Sequence, residues 1–144
     1  MKNIFVLFFL ASFCGCISMG GNYSYIPIGP QNLSVQITNA KDMPVFAMRE
    51  DIQRPWASLG LMRVKNLPND KSVINNEIEK VKAEAAKKGA QAVIINQYFD
   101  DNSPNSNPVI VAAYLVRYLD DVSAEDKQKI DEFLASTVIE NGQR

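Results

Sequence analysis

The stretch from Lys71 to Phe99, KSVINNEIEKVKAEAAKKGAQAVIINQYF, constrains the fold more than any other part of the chain, because it reads as a helix, a glycine stop and a buried strand. Ile74, Ile78, Val81 and Ala85 recur at helical spacing and form one apolar face, while Glu77, Lys80, Lys82, Glu84 and Lys87 point elsewhere. Gly89 ends the helix, since glycine enters the left-handed conformation without a side-chain clash, and Lys87 and Lys88 place positive charge beside the last carbonyls. Ala92-Val93-Ile94-Ile95 is too short for a second helix and apolar on both faces, as a central strand is.

The flanking segments extend this unit. Leu33, Val35 and Ile37 alternate with polar residues at the strand period, Asn39 to Asp42 reads as a turn, and Val45 to Met48 as a short strand before a polar connection, Arg49 to Pro55. Trp56 to Lys65 is a strand whose Gly60 marks a bulge or a close backbone approach. Asp70 or Ser72 is available to cap the helix, and Asp100 to Pro108 is a loop by composition. Val109 to Leu119 pairs back as a hairpin. Ser123, with Asp126 three residues on, starts a last helix with Ile130, Phe133, Leu134, Thr137 and Val138 on its apolar side. The strand from Trp56, the helix and the strand from Gln91 make a βαβ crossover with its two strands parallel. The expected fold is α+β: a mixed four- to five-stranded sheet with two helices packed on one face, spanning residues 33–140.

At 144 residues, 47% of them hydrophobic and 22% charged, the chain has the composition of one globular domain. Basic and acidic residues are interleaved and form no patch that would neutralise phosphates, so nucleic acid is not an expected partner. There is no histidine, which removes the commonest general base and transition-metal ligand together.

The amino terminus is an address. Lys2 precedes an apolar run from Ile4 to Ala11, within the range of a secretory signal and short of the ~20 residues that span a bilayer. Phe13-Cys14-Gly15-Cys16 resembles a bacterial lipoprotein signal, in which a small residue precedes the cysteine that is lipidated; Gly15 makes Cys16 that cysteine. Residues 1–15 are then a cleaved signal peptide. Ile17, which is not aspartate, favours the outer membrane by resemblance to Gram-negative sorting. Both cysteines of the chain lie in this window, so no disulfide forms within the domain. Residues 16–32, with glycines, prolines and no charge, have the composition of a flexible tether; the competing reading packs Tyr23, Tyr25, Ile26 and Ile28 on the domain edge.

From Val45 to Tyr118 the chain resembles the small bacterial envelope lipoproteins related to the Rcs stress-sensor lipoprotein. The resemblance rests on an aromatic before Leu59-Gly60 and on Ala85-Ala86-Lys87-Lys88-Gly89-Ala90-Gln91-Ala92-Val93. It implies a non-enzymatic, membrane-anchored protein-interaction or envelope-sensing module. The sensor is held by disulfides; this chain has no cysteine after Cys16, so the sensing role itself does not carry over.

Arg49, Arg54 and Trp56 form the expected partner surface, since tryptophan and arginine concentrate in interface hot spots, together with Asp100 and Asp101 in the long loop. Trp56 also suits core packing, and Tyr98 and Phe99 divide between core and rim. The alternative function is a secreted small-ligand binder or enzyme using the carboxylates of that loop. No calcium-loop spacing, Ser-x-x-Lys motif or phosphate-cradling glycine pattern is present, and Met43, Met48 and Met62 read as core filler. No cofactor or metal is expected. The expected partners are a membrane, through the lipid, an unknown envelope protein and a second copy through an exposed edge strand.

Overall fold

In the computed structural model, residues 22–34, 39–100 and 108–141 are described. The strands are β1 (Asn22–Pro27), β2 (Val45–Phe46), β3 (Trp56–Leu67), β4 (Ala92–Phe99) and β5 (Val109–Tyr118); the helices are α1 (Lys71–Lys87) and α2 (Ala124–Asn141). They form an α+β domain around one five-stranded sheet of order β1-β3-β5-β4-β2, mixed because β2 lies parallel to β4 while every other pair is antiparallel.

The helix-glycine-strand unit forms as the residues dictate. Asp70 caps α1 by accepting the Ser72 and Val73 N–H groups, and Gly89 adopts φ 84° to close its last turn. Ile74, Val81 and Ala85 join Met62, Val64, Val93, Ile95, Val111, Ala113 and Leu115 in the main core, together with Ile130 of α2, so both helices serve the same face of the sheet. Ser123 caps α2, accepting the Asp126 N–H at 3.1 Å.

Several expectations are corrected. β3 and β4 run parallel, as a crossover requires, but they are not neighbours: β5 lies between them and is antiparallel to both. Its continuously apolar sequence suits that central place, where both faces are covered. Within the segment read as a tether, residues 22–27 are a strand on the edge of β3, as the competing reading has it, though only Tyr25 packs on the main core while Tyr23, Ile26 and Ile28 are exposed; backbone pairing with β3 outweighs the tether-like composition. The strand expected from Leu33 is absent at Leu33 and Ser34, and residues 35–38 lie outside those described. β2 is only two residues long. Glu77 and Lys82, assigned to the solvent side of α1, are both buried; on the Lys82 flank a 3₁₀ turn at Ala40–Asp42 lies beside the helix, and Lys82 Nζ donates to the Lys41 carbonyl at 3.3 Å. Among the methionines, Met43 and Met62 are core while Met48 is exposed. The signal peptide, Cys16 and Asp101 lie outside the described residues, as do the side chains of Thr137 and Val138.

Candidate functional site

The two faces of the sheet differ. Alternation along β4 and β5 sends Val93, Ile95, Val111, Ala113 and Leu115 to the helix side and Ala92, Ile94, Tyr114, Val116 and Tyr118 to the other. Register then aligns Leu61, Tyr114, Ile94 and Phe46 in a row across β3, β5, β4 and β2 on the helix-free face. Ile52 and Trp56 pack against the same cluster.

The chain after β2 turns over this face through a second 3₁₀ turn, Arg49–Asp51, and leaves a pocket of about 230 Å³ beneath it. Trp56, Tyr114, Ile94 and Met48 supply its apolar surface; Arg49, Glu50 and Asn96 supply polar groups. Beside it, Arg54 makes a fork-like pair with Asp120, Nη2 to Oδ1 at 2.7 Å and Nε to Oδ2 at 3.0 Å, and its guanidinium lies 3.9 Å from the centroid of the Tyr118 ring. The hydrogen bond to Asp120 raises the Arg54 pKa, and the same bond holds the Asp120 carboxyl below its ordinary value. Both groups are already satisfied, so they shape the rim more than they await a ligand.

Of the residues picked out from sequence, Arg49, Arg54 and Trp56 therefore come together on the helix-free face. Trp56 is half-buried, combining core packing with a place in the pocket wall. Asp100 does not join them. Its N–H donates to the Pro108 carbonyl at the far end of β4, four residues past Asn96 and six past Ile94 in the pocket wall, about 13–20 Å at 3.3 Å per residue. Tyr114 and Asn96 escaped the sequence reading because only the registers of β5 against β3 and β4 put them beside Trp56; period-two alternation within each strand was the available signal.

Among the described residues no three acidic or thiol side chains converge as a metal site would need, and no helix is long and apolar enough to cross a membrane. No family model and no curated protein matches the chain. It is similar to the crystal structure of a Francisella virulence factor, FvfA, at 14% identity and a TM-score of 0.47, over 65% of this chain and 95% of that one.

Proposed function

We propose that this chain is a membrane-anchored bacterial lipoprotein that works as a non-enzymatic protein-interaction module of the cell envelope, held by acyl chains on Cys16 and facing the periplasm from the outer membrane. The observation that carries the interaction half of this reading is the helix-free pocket. It is concave, walled by Trp56, Tyr114 and Met48 and rimmed by Arg49; tryptophan, tyrosine and arginine dominate binding energy at protein interfaces, and methionine is enriched there. The anchor rests on the apolar run followed by Gly15-Cys16, and the likeness to envelope lipoproteins agrees with both. Acyl chains add about 0.8 kcal/mol of membrane affinity per buried methylene, so several on one cysteine hold the domain firmly. Anchoring also raises the effective concentration at which a partner in the same envelope meets the pocket.

The test is in-cell crosslinking of the native protein followed by mass spectrometry and fractionation. An acyl mass on Cys16 and release of Cys16→Ser from the membrane are expected. A partner crosslink that falls sharply in Trp56→Ala and Arg49→Glu is expected as well. Membrane retention of Cys16→Ser with no acyl mass would remove the anchor, and an unchanged crosslink would remove the pocket.

A further inference from the structure

The sheet has an open edge at β4, and its backbone pattern specifies what fits there. β4 pairs with β5 along its whole length but with β2 only at Val93 and Ile94, so from Asn96 to Phe99 its outer side has no strand beside it among the described residues. The Val93 N–H donates outward, to the Pro44 carbonyl, whereas the Asp100 N–H donates inward, to the Pro108 carbonyl beside β5. Backbone direction alternates along a strand, so Gln97 and Phe99 also point their N–H and C=O groups outward. All four residues from Asn96 to Phe99 are exposed, including Tyr98 at 45% and Phe99 at 51%. Edges of monomeric proteins are usually blunted by lysine, proline, a bulge or an inward charge, and this segment contains none of them.

We infer that this edge pairs antiparallel with the same edge of a second copy, about a two-fold axis at Tyr98. In that register Gln97 of one copy lies opposite Phe99 of the other, so every outward N–H in the segment meets an outward C=O. Tyr98 faces its own counterpart at a non-hydrogen-bonded position, where side chains are closest and an aromatic pair is favourable. The second copy's Phe99 reaches the helix side of the sheet next to Gln97, over a recess of about 250 Å³ bordered by Asn69, Ile74 and Val109. The antiparallel sense keeps Asp100 of each copy apart, whereas a parallel pairing aligns them as like charges. β2 covers the edge just before the segment, which limits the ladder to these residues.

The inference does not depend on the lipid anchor. Its test uses the full chain with Cys14→Ser and Cys16→Ser, in mild detergent, so that an introduced thiol is the sole one. Under oxidation Tyr98→Cys is expected to give a disulfide-linked dimer at least about tenfold more efficiently than Asn96→Cys, whose two positions lie about 13 Å apart in this register, beyond disulfide reach. Ser24→Cys, on the opposite sheet edge, serves as the second control. Sedimentation of the unmutated edge is expected to show a dimer that Gln97→Pro and Tyr98→Lys each convert to monomer with unchanged circular dichroism. Proline at Gln97 removes an outward N–H that has no strand beside it among the described residues of one copy. A monomer at all concentrations, equal crosslinking at Asn96, or preferential crosslinking at Ser24 would overturn the proposal.

Discussion

Gly60 shows how one residue without a side chain holds an edge strand. The ladder between β3 and β5 slips between Ser58 and Gly60, and the Tyr25 ring of β1 lies so close over Gly60 that an added Cβ would stand 2.4 Å from it. That ring also donates its hydroxyl to the Leu59 carbonyl at 3.3 Å and carries Lys88 Nζ 4.1 Å from its centroid. Gly60→Ala is expected to swing Tyr25 out and destabilise the protein by about 1–3 kcal/mol, with hydrogen exchange rising in Asn22–Pro27 before the central strands. Asp126 ties distant parts of the chain together by its charge instead. Its buried carboxylate accepts the Ser34 N–H at 3.0 Å and the Ser34 hydroxyl, and it lies 3.8 Å from the fully buried Arg117, which in turn donates to the Gly89 carbonyl at 3.0 Å. Asp126→Ala leaves Arg117 uncompensated and is expected to cost about 3–5 kcal/mol, measured by denaturant unfolding. Burial pushes the Asp126 carboxyl up, but the Ser34 hydrogen bonds and the charges of Lys129 and Arg117 outweigh it, so its folded pKa lies below the ordinary value. Its contribution to stability is therefore complete above the unfolded pKa of about 3.9 and lost as pH falls through the folded one. Acid is expected to loosen Ser34 and the first turns of α2 together, visible as exchange at those amides, while Asp126→Asn loses that acid-dependent step.

Among the elements, β5 and α2 contrast most. Leu115, in the middle of β5, has no exposed surface, whereas Leu134 of α2 is 54% exposed. Leu115→Ala is expected to cost about 2–5 kcal/mol and Leu134→Ala no more than about 0.5 kcal/mol, both measured by thermal or denaturant unfolding. The sequence marks both as apolar at the proper period. It cannot say that β5 is the centre of the sheet, since that follows from β3 and β4 both pairing with it. α1 was legible nearly to its ends, because its cap, read as Asp70 or Ser72, and its stop at Gly89 are local signals; the structure selects Asp70. The burial of Lys82 was not legible, because it depends on the Ala40–Asp42 turn meeting the helix from a distant part of the chain. β1 was legible only as the competing edge reading, for a related reason: glycine and proline around it suggest irregular backbone, and only pairing with β3 supplies its hydrogen bonds. Of the candidate site, Arg49, Arg54 and Trp56 were readable as residue types, while the separation of Asp100 from them is a consequence of strand length.

At the scale of the whole molecule, one sheet carries two unlike surfaces, a helix-covered core and an aromatic face with a pocket. Trp56 is the sole tryptophan and sits on that second face, while most far-ultraviolet signal comes from the helices and the sheet. A single shared sheet is expected to make the two unfold together near neutral pH; separate midpoints for Trp56 fluorescence and circular dichroism would show that the helix-free face opens independently. The sequence by itself determined the α+β class, the α1 unit, the β4–β5 hairpin and the residue types of the site, because periodicity, caps and glycine stops act over a few residues. The tertiary structure decided the strand order, the capture of residues 22–27 as an edge, the burial of charges on α1, and the meeting of Trp56 with Tyr114 and Asn96. Each of these depends on which backbone groups and side chains find partners far away in the chain, and local propensity carries no record of that choice.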